Sequence, residues 1–200
     1  GADDEIDLHR FVLFVGHEFT DDIRFFSEFE IEHDVAGEGQ PGEVEVEQAY
    51  VEFDIRDGLQ AKGGVFLLPI GILNETHEPD TFYGVELNDV ENIIIPATWW
   101  AGGAALTGQN ANGVSWDLAI HEGIKIDSAS GCYPFRVRSG RQKTGEAIAN
   151  DFAVTGRLRY TGIPGLELAA SLQYQTDASQ TSGDGLDEGV LYETHAVYQK

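Results

Sequence analysis

The sequence lacks methionine and contains a single cysteine, Cys132, among 200 residues. One cysteine allows neither an intrachain disulfide nor a Cys-x-x-Cys metal or redox motif. No run of about 18 apolar residues occurs, which excludes a transmembrane helix, and no apolar signal-peptide segment is present. A β-barrel is not excluded, because its strands do not carry such runs. Without an initiating methionine, we expect a processed chain or a fragment.

Positive charge is also scarce. Lysine and arginine total 12 against 35 aspartates and glutamates, which gives a formal net charge of −23. Binding to nucleic acid needs cations that neutralise phosphates, and docking onto anionic lipid headgroups needs the same. The composition therefore argues against both kinds of partner.

Alternation of apolar and polar residues with a period of two predicts β-strands along most of the chain. The stretch IRFFSEFEIEHD at 23–34 and the stretch at 166–175 are the clearest cases. No convincing amphipathic helix is found, so the sequence predicts an all-β fold, with residues 1–200 in one domain. The nine predicted strands are 6–18, 23–34, 48–55, 59–69, 102–109, 114–124, 151–161, 166–175 and 190–200.

The predicted connections alternate between short and long. Tight turns such as the Asn-Gly turn at 110–113 alternate with long segments, of which 70–101 is the longest. Short turns at one end and long loops at the other are typical of an outer-membrane barrel, and strands of about ten residues suit a tilted crossing of the bilayer. Because nine is an odd number, we expect further strands after Lys200.

Two regions resemble the phosphate-selective porin O and P family of Gram-negative outer membranes. The first runs from 62 to 106 and includes LPIG, NETHEPDT and IIPATWWAGG; the second runs from Arg138 to Gln175. Together they cover roughly half of the chain. The resemblance implies a transmembrane antiparallel barrel of roughly 16–18 strands. It also implies a homotrimer in the outer membrane, in contact with lipid and lipopolysaccharide.

The resemblance further implies a passive, water-filled channel for small hydrophilic solutes or ions, without catalysis or cofactors. A loop that folds into the pore would narrow it, and residues 70–101 are expected to take that role. Anion selectivity needs rings of arginine and lysine, whereas the polar strand faces here are acidic. We therefore expect a general or cation-preferring pore. The predicted pore-lining residues are Arg24, Glu28, Glu30, Glu52, Asp54, Arg157 and Arg159.

Charged residues of the long connections are the candidates for a constriction or selectivity site: Asp80, Glu86, Arg136, Arg138, Arg141 and Lys143. The basic members would oppose the acidic wall, or else pair with acidic loops or with lipopolysaccharide phosphates. The long connection also holds four acids that could bind calcium, Asp80, Glu86, Asp89 and Glu91, but no DxDxDG pattern supports this, and solvated carboxylates explain them better. The six histidines show no metal-binding spacing, and no metal site is predicted.

Trp99 and Trp100 lie side by side before Gly102 and Gly103. Tryptophan concentrates at membrane interfaces, so we expect these two as membrane-interface anchors, one facing outward and one inward, or one locking the loop against the wall. Two alternatives stay open. One is a soluble carbohydrate-binding β-domain with the tryptophans as sugar platform; the other is a non-conducting structural barrel of the cell surface.

Overall fold

The computed structural model describes residues 6–78, 81, 84, 88–126, 137–181 and 188–200. Three predicted loop residues, Asp80, Glu86 and Arg136, lie outside this part of the chain. The described chain is all-β, with one antiparallel sheet of nine strands in sequence order. The sheet is not closed: β1 and β9 form its two edges.

The strands are eight to thirteen residues long. A π-helical turn at Val90–Ile94 and a 3₁₀ turn at Val137–Gly140 interrupt two of the connections. No helix in the described ranges has the length and apolar character needed to span a bilayer. The strands are β1 Arg10–Thr20, β2 Ile23–Glu32, β3 Val44–Arg56, β4 Leu59–Leu67, β5 Trp100–Gln109, β6 Val114–His121, β7 Ala153–Ile163, β8 Leu166–Gln175 and β9 Gly189–Tyr198.

These bounds confirm the number and order of the predicted strands and correct some of their ends. The expected first strand, 6–18, begins instead at Arg10 and continues to Thr20. The third begins earlier than expected, at Val44, and the fifth begins at Trp100. The alternation of connection lengths is confirmed, and antiparallel pairing places all the short turns at one end of the sheet and all the long connections at the other.

The register assigns each side chain to one of two faces, because paired residues share a face. Arg24 pairs with Glu52, Glu52 with Lys62, and Asp117 with Arg157, all on the side that we call the polar face. On the opposite side, the apolar face, Leu118 pairs with Gly156 and Leu158 pairs with Ala170. Predicted alternation and observed register therefore agree.

Burial on the two faces is the reverse of that in a water-soluble sheet. On the polar face, Glu28, Thr155 and Gln173 are 2%, 0% and 3% exposed. On the apolar face, Leu158 and Leu172 are 58% and 53% exposed. The described parts of the long connections cover the polar face, whereas nothing in the described chain covers most of the apolar one. A small apolar core forms where the long loop meets the sheet; it contains Phe66, Leu68, Ile70, Trp99, Ala101, Ala105, Ala119, Ile124 and Ala178.

Candidate functional site

The connection between β4 and β5 comprises residues 68–99. Its described residues fold over the polar face, and Asn74 fixes both of its ends. The Asn74 side-chain amide donates to the carbonyls of Leu68 and Trp99 at 2.8 and 3.0 Å. Its oxygen accepts from the Trp99 N–H at 2.6 Å. Asn74 is fully buried, so these bonds satisfy backbone groups that water does not reach. The loop is thereby closed at its base.

A second clamp stands beside the first. The Glu91 carboxylate accepts from the N–H groups of Ile72 and Leu73 at 3.2 and 3.4 Å. Gly71 has a φ of +77°, and a Cβ there would lie 2.8 Å from the Glu91 carboxylate. Only glycine combines this backbone conformation with so close an approach. The turn at 71–73 is thus shaped by Glu91, which lies 18 or more positions further along the chain.

The loop between its clamps crosses the sheet from β3 to β7. His77 Nε2 lies 2.7 Å from Glu47 of β3, and Glu75 bonds Arg157 of β7. Arg157 is four residues inside β7, which at 3.3 Å per residue is about 13 Å from the end of the strand. At these contacts the loop therefore reaches well into the polar face; a constriction at 70–101 stays a prediction.

Carboxylates crowd the β2–β3 side of this loop. Glu28, Glu30 and Glu47 are each 1–2% exposed. Glu47 has no cross-strand partner, because the register shifts between Glu28 and Phe29 and leaves it as an extra residue. This β-bulge turns the Glu47 side chain towards the loop. Burial opposes the charged form of His77, but the hydrogen bond and the charge of Glu47 outweigh burial, so the pKa of His77 is raised.

Arg24 lies on the same side and is bound by two acids. Its guanidinium donates to Glu52 at 2.8 Å and to both oxygens of Asp54 at 2.7 Å. Gln60 also donates to Asp54, at 2.8 Å. This bidentate arrangement fixes the orientation of Arg24 along the wall.

Arg157 and Arg159 lie on the other side of the loop, on β7. Arg157 Nε donates to Asp117 at 2.9 Å, and the guanidinium also binds Glu75. Arg159 donates to Ser115 at 3.3 Å. All seven predicted pore-lining residues thus share the polar face, the acids together with Arg24 on one side of the loop and the other two arginines on the other.

The loop cations Arg138, Arg141 and Lys143 all have partners in the described chain. Arg138 and Arg141 donate to the carbonyl of Ala97 at 3.0 and 2.8 Å. Burial, together with the charge of Arg138, lowers the pKa of Arg141 to about 10. Lys143 binds Glu45 at 2.5 Å. These contacts are with carbonyls of the long loop and with an acid of β3, so pairing with acidic loops and a role in selectivity both stay predictions.

The two tryptophans are buried, which corrects the prediction of membrane-interface anchors. Trp99 and Trp100 are 1% and 2% exposed. Trp99 belongs to the apolar core on the polar side, and Trp100 lies on the opposite face, as alternation predicts. The Trp100 indole N–H donates to the backbone carbonyl of Lys143 at 3.0 Å, and the Lys143 ammonium lies 4.6 Å from the centre of the indole ring. Lys143 belongs to the connection between β6 and β7, so the Trp100 ring holds that connection against the sheet.

Sequence reasoning missed Trp116, which does have the exposure of an anchor. It lies on the apolar face of β6, near the short-turn end, and is 38% exposed. A Cβ on the paired Gly108 would lie 2.3 Å from the indole, so glycine leaves the space that the ring occupies. The alternation of the predicted strand 114–124 was the signal available for it.

A cavity of about 580 Å³ remains between the loop and β7–β9. Its lining includes Glu75, Arg157, Arg159 and Glu167, with Gly71 and Ile72 on the loop side. Space for water and small solutes is therefore present beside the loop, next to charged groups of both signs.

Comparison with known proteins gives one relative and no family. No family model matches the sequence. The chain is 34% identical over 195 residues to an uncharacterized protein of Aquifex aeolicus (strain VF5). That alignment covers 97% of this chain and 44% of the relative, so the chain spans less than half the length of the protein it matches. The relative's description assigns no activity, and the porin resemblance stays a prediction.

Proposed function

We propose that this chain forms part of the wall of an outer-membrane porin, a passive channel for small hydrophilic solutes or ions. The observation that carries the proposal is the inverted sheet, with a buried polar face and an exposed apolar one. A bilayer is the environment in which such an apolar face is stable. The strand lengths of eight to thirteen residues bracket the 9–11 or so that a tilted strand needs to cross a bilayer.

The loop at 68–99 is the proposed constriction. It lies on the polar face, its base is closed by Asn74, and its contact with Arg157 lies about 13 Å from the strand end. A peptide held at that depth narrows the water-filled space and leaves a passage beside it. Selection by size follows from that narrowing.

The charges favour a general or cation-preferring channel. Carboxylates outnumber cations on the described polar face, and the acids on the β2–β3 side exceed the arginines available to neutralise them. Negative wall charge raises the local concentration of cations. The acids of this face are Glu18, Glu28, Glu30, Glu32, Glu45, Glu47, Glu52, Asp54, Asp117, Glu167 and Glu193, and its cations are Arg10, Arg24, Lys62, Arg157 and Arg159.

Recordings from the full-length protein in planar lipid bilayers test the proposal. We expect stepwise conductance increases and, in a salt gradient, a reversal potential of the sign for cation preference. Insertion without conductance would favour the alternative of a structural barrel. An anion-selective reversal potential would refute the charge argument while leaving the channel intact. The sugar-platform alternative loses its main support, since both rings proposed for it are buried.

A further inference from the structure

One group of ionisable side chains is not explained by a channel wall. It joins the long loop to β2 and β3 and consists of His77, Glu78, Glu28 and Glu47; we call it the His77 cluster. Single ligand atoms from Glu28, His77 and Glu78 all lie within 4.8 Å of one another. Glu47 Oε2 lies 2.7 Å from His77 Nε2, and Glu78 Oε1 lies 3.8 Å from it.

The orientation of the imidazole is fixed by its other nitrogen. His77 Nδ1 lies 3.1 Å from the carbonyl oxygen of Asn74, which can only accept, so Nδ1 carries the proton. In the neutral ring, Nε2 then directs its lone pair at the carboxylates. A histidine that donates Nδ1–H to a backbone carbonyl and presents Nε2 to acidic groups has the arrangement found in metal-ligating histidines.

The carboxylates outnumber the donors around them. A proton on Nε2 satisfies one acceptor, whereas several oxygens converge on this nitrogen. Glu78 Oε1 is buried and accepts no hydrogen bond from the described residues. Glu30 follows Glu28 on the same face and is 2% exposed; its Oε2 accepts no hydrogen bond there and lies 3.5 Å from the Arg10 guanidinium. The site therefore holds more buried carboxylate oxygens than donors to satisfy them.

We propose that the His77 cluster binds a divalent transition-metal cation of the zinc class. One imidazole nitrogen with two or three carboxylate oxygens is a ligand set for such ions, whereas calcium and magnesium prefer oxygen alone. Gln48 donates to Glu28 at 2.6 Å and orients that ligand, as groups around metal ligands commonly do. The cation links residues 77–78 of the loop to β2 and β3 and balances their charge.

Calorimetric titration of zinc chloride into metal-stripped full-length protein tests this site. A His33→Gln background removes a separate, largely exposed group of Asp7, His9 and His33, which would bind zinc on its own. We expect one zinc ion per chain with a Kd of about 1 μM or lower. His77→Gln and Glu78→Gln should each weaken binding by at least about tenfold. Calcium should bind far more weakly than zinc.

His195→Gln is the matched control. His195 also lies between carboxylates, but its two nitrogens contact different ones, Glu193 at 2.7 Å and Glu167 at 3.1 Å, so no common point for a cation exists. Zinc binding should be unchanged in this variant. If His77→Gln fails to fold, Glu78→Gln decides, because that side chain is partly exposed and replaceable. Absent zinc binding, or binding unaffected by Glu78→Gln, would overturn the proposal whether or not the protein conducts.

Discussion

Replacing Asn74 with alanine should destabilise the protein by about 2–4 kcal/mol. The change removes three hydrogen bonds, each with a net contribution of about 0.5–1.5 kcal/mol. The carbonyls lose less, since Leu68 still accepts from Ile70 and Trp99 still accepts from Leu68. The Trp99 N–H, however, is left buried without another acceptor in the described chain, at a cost of about 1–3 kcal/mol. The lost hydrogen bonds and the unpaired N–H of Trp99 partly describe the same loss, so their costs are not simply added, and the expected destabilisation is about 2–4 kcal/mol.

Urea unfolding in lipid vesicles, followed by tryptophan fluorescence, measures this change. The midpoint should fall at constant m-value, because the change alters stability rather than the surface exposed on unfolding. Asn74→Asp is a near-isosteric second variant: it keeps an acceptor for Trp99 but places a carboxylate oxygen against two carbonyls, and it should be at least as destabilised. Asn88→Ala is the control, since Asn88 is exposed and caps only a short turn, and it should lose about 1 kcal/mol or less. A loss at Asn74→Ala no larger than at Asn88→Ala would refute the reasoning.

Two further predictions concern the loops. Burial raises the pKa of Glu122, partly offset by a hydrogen bond from Thr144. The buried Glu122 carboxylate therefore lowers the free energy of unfolding once the pH rises above the usual pKa of about 4.5. Glu122→Gln, which is neutral at every pH, should raise Tm more at pH 8 than at pH 4. An equal rise at both pH values would contradict this. Glu75→Gln removes the charge that pairs the loop with Arg157, while Arg157 keeps Asp117 at 2.8 Å. If the loop's attachment to the polar face is weakened by about 1 kcal/mol, the released form of the loop should be about fivefold more populated, and single-channel conductance should rise. Unchanged conductance would argue against the loop as constriction.

Local pattern predicted the strands because side-chain period and turn chemistry are properties of neighbouring residues. The strand 166–175 was predicted with both ends correct, and the opposite faces of Trp99 and Trp100 followed from alternation alone. Burial of those rings did not follow, since Trp99 packs in a core built from several strands and loops, and Trp100 is covered by Lys143, more than 40 residues away.

The contacts that shape the candidate site are also distant in sequence. His77 meets Glu47 across 30 residues, and Arg157 meets Glu75 across 82. The bulge that turns Glu47 towards the loop breaks the period-two pattern at one residue and gives no clear sign in the sequence. A period predicts which face a side chain occupies, but it does not predict which loop returns over that face.

The central claim, that the apolar face meets lipid, is tested most directly by fluorescence quenching with brominated lipids. Two single-tryptophan variants of the full-length protein are compared, one retaining Trp116 and the other Trp99, with every other tryptophan of the protein replaced by phenylalanine. Trp116 lies 38% exposed on the apolar face, whereas Trp99 is 1% exposed in the core on the other side. Strong quenching of Trp116 with little quenching of Trp99 is the predicted result. Trp116 that is unaffected by brominated chains but quenched by aqueous iodide would contradict the account.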